Sequence, residues 1–374
     1  MLTLTGCRDR QSRFRQRLAT EKLDGAVISD QRDIYYFTGI LLCPYPSFPF
    51  PALLFLETSG KTWLLSHTDA GDAAVDERLT YESSTLYTLN PDPMRLLNVL
   101  LGKRLKDCKG IIRLGWQQEA LPKLLADTLV HVLGNNWMPL DDLLSEQQMK
   151  KDPDEVVMLK KAIEINLTAY DRVQEMIAPG MNELDVLSGG RRAALHKAGQ
   201  VLHHGGDYQC AQLGGLARDR KIQAGELYII DAQTEYHGYW SDLCRTFAVG
   251  ESTDLQASVY DHLKGILEDI PNLVKPGGRG TALWQTIDAR IREHAHLQDK
   301  GLIHHAGHGV GLRVHEPPDL NRDREGIFEV GNVFSCEPGA YSQELNGGIR
   351  LENTFLITET GVENLSVYPL ELKK

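Results

Sequence analysis

Residues 226–247 read ELYIIDAQTEYHGYWSDLCRTF. A strongly apolar run, Leu227-Tyr228-Ile229-Ile230, leads directly into Asp231, and a second acid, Asp242, sits among aromatic and aliphatic neighbours. The pattern is that of buried strands, where an unpaired carboxylate is costly. Each acid therefore needs a partner from elsewhere in the chain.

Three later stretches repeat the oddity. HHAGHGVGLRVHEPP (304–318) sets His308 among Gly307, Gly309 and Gly311, which allow close backbone approach. NVFSCEPGAY (332–341) ends an apolar strand in Glu337, and GGIRLENTFLI (347–357) places Glu352 inside another. Four carboxylates and one imidazole on buried-looking strands would be balanced by two divalent cations. An oxygen-rich set with one histidine and no cysteine suits manganese, cobalt, iron or zinc, and differs from a structural zinc site. The plainer alternative is that the acids pair with Arg245 and Arg350, their neighbours in sequence.

Outward from this core, KKDPDEVV (150–157) marks a boundary: Asp152 can cap a helix, Pro153 suits its first turn and Glu155 completes a capping box. Val156, Leu159, Ile163, Leu167, Tyr170 and Ile177 give that helix one apolar face, and Pro179-Gly180 stops it. Before the boundary lie an amphipathic helix over 10–23, a strand GAVISD (25–30), a hairpin over 51–66 turning at Ser59-Gly60 and a strand at 110–116. These imply an α/β domain over 1–150 and an α+β domain over 153–374.

Composition narrows the function. The chain has 374 residues, 42% hydrophobic and 24% charged, and a formal charge of -11. That acidity argues against nucleic acid and against an anionic membrane surface. Six scattered cysteines without a CxxC pair fit reduced thiols in a cytoplasmic protein. The opening MLTLTGC is similar to a lipoprotein cleavage box, but no apolar segment precedes it here.

The ordered motifs IIDAQTEYHGYWSDLCRTF, GHGVGLRVHEPP, SCEPGAY and GGIRLEN resemble those of the pita-bread metallopeptidases, the family of methionine aminopeptidase, aminopeptidase P, prolidase and creatinase. DGAVISDQRDIYYFTG (24–39) is similar to the creatinase-type amino-terminal domain of the proline-specific members. The resemblance implies a creatinase-type α/β domain followed by an α+β pita-bread catalytic domain. It implies two divalent ions per chain, manganese first, with Asp231 on one, His308 and Glu337 on the other, and Asp242 and Glu352 bridging. It implies that His315 stabilises an oxyanion, that Arg350 orients the bridging glutamate, and that His304 supports the site or contacts substrate. Hydrolysis of the bond before proline, by a homodimer, follows from the same resemblance. The proline- and aromatic-rich stretch 43–51 would by analogy be a lip over a neighbouring subunit's site, or else a stiff surface connection.

Two positions depart from the family pattern. Gly214 stands where a substrate-contacting histidine is usual, and Gln233 where the family has glycine in DxG. Loss of a positioned proton donor typically costs about 10²–10⁴-fold in rate. His203 or His204 could substitute, and restoring histidine at 214 is expected to raise peptidase turnover. The departures leave two further readings open: a metal-dependent hydrolase or lyase of a small molecule, and a catalytically silent binding protein.

Overall fold

The structure, a computed structural model, describes residues 1–41, 50–67, 72–82, 92–108 and 110–373. Of the stretch 43–51, only Phe50 and Pro51 lie within the described residues. Contacts divide the chain into Met1–Gln147 and Gln148–Lys374.

The first unit runs α1 (Leu4–Thr20), β1 (Gly25–Ile28), α2 (Gln31–Thr38), β2 (Leu53–Glu57), β3 (Thr62–Ser66), β4 (Glu77–Thr80), α3 (Pro93–Leu105), β5 (Leu114–Trp116), α4 (Lys123–Leu133), β6 (Trp137–Pro139) and α5 (Asp141–Gln148). Its mixed six-stranded sheet has the order β4-β3-β2-β1-β5-β6. Val27, Leu53, Phe55, Trp63 and Leu65 pack with Leu97, Leu101, Leu125 and Leu129 of α3 and α4. The alternating residues Ala26, Ile28, Leu54 and Leu56 are equally buried, so both faces of the sheet are covered.

Helix α1 starts earlier than the apolar pattern implies because Thr3 caps it, accepting from the Gly6 N–H at 3.0 Å. The 110–116 strand shrinks to three residues because the Ile112 and Arg113 N–H groups donate to Asp24 Oδ2 (2.7 and 2.8 Å).

The second unit begins with α6 (Pro153–Met176), where the Asp152 N–H donates to Glu155 at 2.9 Å, as the capping pattern requires. It continues through α7 (Glu183–Ala198), β7 (His204–Cys210), β8 (Leu227–Tyr236), β9 (Tyr239–Ala248), α8 (Asp254–Glu268), α9 (Ile270–Leu273) and α10 (Gly280–Glu293). Then follow β10 (Gly307–Gly309), β11 (Glu316–Leu320), β12 (Val333–Cys336), β13 (Gly339–Ser342), β14 (Gly347–Arg350), β15 (Asn353–Thr358) and β16 (Gly361–Asn364). One apolar core joins Tyr170 and Val173 of α6 to Tyr228, Ile230 and Leu243 of the β7-β8-β9 sheet. A second joins α8 and α10, through Leu263, Leu267 and Ile287, to Phe334 and Phe355 of the β11-β10-β12-β15-β16 sheet. Among the described residues no helix is long and apolar enough to cross a membrane.

Candidate metal centre

The antiparallel register of β8 and β9 sets Asp231 opposite Cys244 and Gln233 opposite Asp242. Because strand side chains alternate, Asp231, Gln233, Asp242 and Cys244 share one face. Glu352 lies in the two-residue break between β14 and β15, not inside one strand as the apolar pattern suggests, and is fastened to the same strand pair: its N–H donates to Cys244 O at 3.0 Å. Thr354 Oγ1 donates to Asp242 O at 2.8 Å. Glu337 follows β12, and its N–H donates to Ala306 O at 2.8 Å, which brings it beside His308 of β10.

These five side chains converge. Ligand atoms of Asp231, Asp242 and Glu352 lie within 4.8 Å of one another, as do those of His308, Glu337 and Glu352. Glu352 belongs to both sets. All five residues are buried.

The donor chemistry fits cations. His308 Nδ1 lies 3.0 Å from the Gly309 carbonyl, to which it donates, so Nε2 carries the ring's lone pair. That nitrogen faces Asp242 Oδ2 at 3.6 Å and Glu337 Oε1 at 3.7 Å, beyond hydrogen-bond length. Glu352 Oε2 is buried with no hydrogen-bond partner among the described residues. A lone pair and carboxylates turned on one another are an arrangement that a divalent ion would stabilise.

Burial pushes the Asp231 carboxyl up to about 6, despite the opposing Arg350 charge. Burial and the neighbouring acids hold Asp242 and Glu352 well above the usual carboxylate range. Glu337 goes the other way: burial would raise it, but the His305 hydrogen bond and the nearby histidines outweigh burial and bring it down to about 2. Burial also lowers His308 to about 4, so it is neutral and competent as a ligand.

The arginines do not neutralise this cluster as sequence proximity suggests. Arg245, buried, donates to the carbonyls of Cys244, Glu352, Tyr368 and Pro369 and to Asn353 Oδ1. Arg350 does not reach Glu352, its expected partner. Its Nη2 lies 2.7 Å from Asp231 Oδ2 and 2.5 Å from Asp207 Oδ2. Backbone register explains the difference, because β7 sets Asp207 opposite Asp231 on the neighbouring strand. Among the described residues neither Asp242 nor Glu352 has a lysine or arginine partner.

His315 stacks on His308, with ring centroids 3.6 Å apart, and is the more exposed of the two. Partial burial and the His305 charge lower its pKa, leaving a neutral ring at pH 7. His304 stands one layer out, its Nε2 2.8 Å from Tyr341 Oη, which Arg350 Nη1 also approaches at 3.3 Å. Three neighbours escaped the sequence reading. His305 Nδ1 lies 3.1 Å from Glu337 Oε1, yet nothing in the pair His304-His305 separates their roles. Asp207 is visible only through strand register. Gln233, noticed as a departure, has its amide directly on the two aspartates.

His204 is no substitute for a missing histidine. It is buried, with its ring nitrogens engaged by Thr234 Oγ1 (2.8 Å) and Tyr208 Oη (2.9 Å). At Gly214 the backbone has φ +136°, and a Cβ there would lie 2.3 Å from Asp207 Oδ2. The expectation that histidine at 214 restores activity is therefore reversed: Asp207 fills that space, and the backbone conformation disfavours any side chain.

Residues 157–359 match the model of metallopeptidase family M24, and residues 10–150 match the creatinase/prolidase N-terminal domain. The chain is 31% identical over 242 residues to an Xaa-Pro dipeptidase of Pyrococcus furiosus, covering 62% of this chain and 67% of that protein. It is 31% identical over 264 residues to an Xaa-Pro aminopeptidase of Escherichia coli, covering 62% of this chain and 58% of that protein. The solved Xaa-Pro dipeptidase from Bacillus anthracis shares the fold with TM-score 0.81 at 22% identity, covering 98% of this chain and 99% of that one. The chain belongs to metallopeptidase family M24 and is a hydrolase with a creatinase-type amino-terminal domain.

Proposed function

We propose that this member of family M24 uses a pair of divalent ions, manganese first, to hydrolyse the peptide bond before proline. Asp231, Asp242 and Glu352 would hold one ion, His308, Glu337 and Glu352 the other, and Asp242 would lean toward both. The observation that carries this reading is the convergence of two triads on one shared carboxylate, Glu352, whose Oε2 has no hydrogen-bond partner among the described residues. The Xaa-Pro activities of the two relatives support the substrate.

Bound there, the ions supply Lewis acidity toward water and a carbonyl. The protein's own groups do the rest. His308 is held in one tautomer by the Gly309 carbonyl, so its Nε2 is always presented. His315, neutral and open to solvent on the His308 face, offers a ring N–H to oxygen charge developing on a substrate carbonyl. Glu337 stays ionised through its His305 contact and keeps its charge for an ion across the working pH range.

The test is initial rates on one Xaa-Pro dipeptide and one longer Xaa-Pro peptide, with chelated protein reconstituted with manganese. Turnover of either supports the proposal, and the preferred length separates dipeptidase from aminopeptidase. Light scattering on the same sample reads the proposed homodimer.

A second reading is favoured by one observation: the Asp207 carboxylate lies where a side chain at 214 would begin. That arrangement suits a metal-dependent hydrolase or lyase of a small molecule. It requires two ions per chain, no turnover of either peptide, and turnover elsewhere in a substrate screen.

A further inference from the structure

His203 and Trp240 take no part in the chemistry above, yet strand register puts them on its face. Asp231, Gln233 and Glu235 of β8 point the same way as Asp242 and Trp240 of β9, and Glu235 pairs with Trp240 as Gln233 pairs with Asp242. His203 directly precedes β7, and its carbonyl accepts from the Glu235 N–H at 3.0 Å. It therefore extends the same row. Its neighbour His204 points to the other face, where it is buried on Thr234 and Tyr208. The face that bears the two aspartates thus continues outward by one row, His203-Glu235-Trp240, about 7 Å along β9 from Asp242.

That row forms an aromatic corner. The His203 and Trp240 rings have centroids 5.2 Å apart and are inclined at 59°. Glu235, between them in the row, turns its carboxylate aside and accepts from the Gly238 N–H at 2.6 Å. Gly205, opposite Gln233, adds no side chain, and a Cβ there would lie 3.7 Å from His203 Nε2. The imidazole therefore leans back over Gly205, toward the row of Gln233 and Asp242. The Trp240 N–H donates to the Gly311 carbonyl at 2.9 Å, which ties this end of β9 to the segment that carries His315. Trp240 is half-buried and His203 exposed, so both rings keep surface open to solvent. Two such rings beside a buried polar centre suit a flat apolar group.

We propose that His203 and Trp240 form the specificity subsite for the residue before proline, and that this subsite takes an aromatic side chain. The inference rests on the Xaa-Pro reading above, in which proline is constant and the residue before it is the one a subsite can select. In an Xaa-Pro dipeptide that residue also carries the free amino group, which the Glu235 carboxylate suits. The substrate ring packs into the corner while its carbonyl reaches the acids one row away.

The test compares kcat/KM for Phe-Pro and Ala-Pro with manganese-loaded protein. Wild-type protein is expected to favour Phe-Pro about 10–50-fold, the worth of partly burying a phenyl ring. His203→Ala and Trp240→Leu are each expected to lower that ratio about 3–10-fold, mainly through KM, whereas His203→Phe, which keeps a ring, preserves it. His203 is exposed, so its variants report even if a change at Trp240 disturbs folding. A wild-type ratio near one would overturn the proposal, as would a ratio that stays at the wild-type value in His203→Ala and Trp240→Leu. No turnover of either peptide would instead refute the Xaa-Pro reading. The corner is then judged by calorimetric binding of the same two dipeptides to chelated protein. Tighter binding of Phe-Pro that is lost in His203→Ala supports it, and equal binding or none overturns it.

Discussion

Glu352→Gln separates a metal-balanced centre from an ordinary buried polar cluster. The substitution keeps shape and removes one charge from a site where Asp242, Asp231 and Glu337 crowd the same carboxylate and Glu352 Oε2 has no hydrogen-bond partner among the described residues. An unsatisfied buried polar group costs about 1–3 kcal/mol, and more if charged. In chelator at pH 8 the variant is therefore expected to be more stable than wild type by about 1–3 kcal/mol. For a unit of this size, about 2–4 °C per kcal/mol makes the rise roughly 2–12 °C. Saturating manganese reverses the order, because Glu352 is common to both triads. Wild-type protein then gains stability, while the variant gains little and loses turnover. Differential scanning calorimetry in chelator and in manganese reads both signs. A variant that unfolds at the wild-type temperature or below in chelator, yet keeps the full manganese shift, would refute the reasoning.

The remaining predictions concern pH, position 214 and the exposed histidine. The neutral, depressed His308 contributes stability that is complete above about pH 6.5 and is lost as pH falls through about 4. Asp231, Asp242 and Glu352 have raised values, so their contributions are present at acid pH and are lost as pH climbs, for Asp231 through about 6. Above pH 6.5, where the His308 contribution is complete, each carboxylate of the cluster still titrating should lower the urea stability of the metal-free protein by about 1.4 kcal/mol per pH unit. With manganese the trend reverses, and proton release on binding is measurable by calorimetry in buffers of different ionisation enthalpy. Gly214→His should cost about 1–3 kcal/mol from its φ alone and lower any turnover; a faster, equally stable variant would remove Asp207 from its place in the argument. His315→Ala is expected to keep both ions while kcat falls about 10²–10³-fold, and loss of metal instead would make it a ligand.

The sequence carries much of this centre for an energetic reason. Asp231, Asp242, Glu337 and Glu352 stand out because a carboxylate ending or interrupting an apolar strand is expensive unless matched. The same logic reads α6 from Asp152 and Glu155. Partner choice is another matter, because it depends on which strands lie side by side. Arg245 and Arg350 are neighbours of Asp242 and Glu352 along the chain, yet one collects carbonyls and the other spans Asp207 and Asp231. The missing histidine at 214 was countable, but the Asp207 carboxylate that takes its space arrives from β7, on the far side of a turn. Long-range register of this kind leaves no periodic trace.

Arg245 has a consequence for how the protein comes into being. Its guanidinium ties the Cys244 and Glu352 carbonyls, the floor beneath two of the acids, to the carbonyls of Tyr368 and Pro369. During synthesis those last acceptors leave the ribosome well after the aspartates of β8 and β9. Until they do, a buried cation lacks half its carbonyl acceptors and the floor is incomplete. The backbone beneath these acids is therefore complete only once residue 369 has been made.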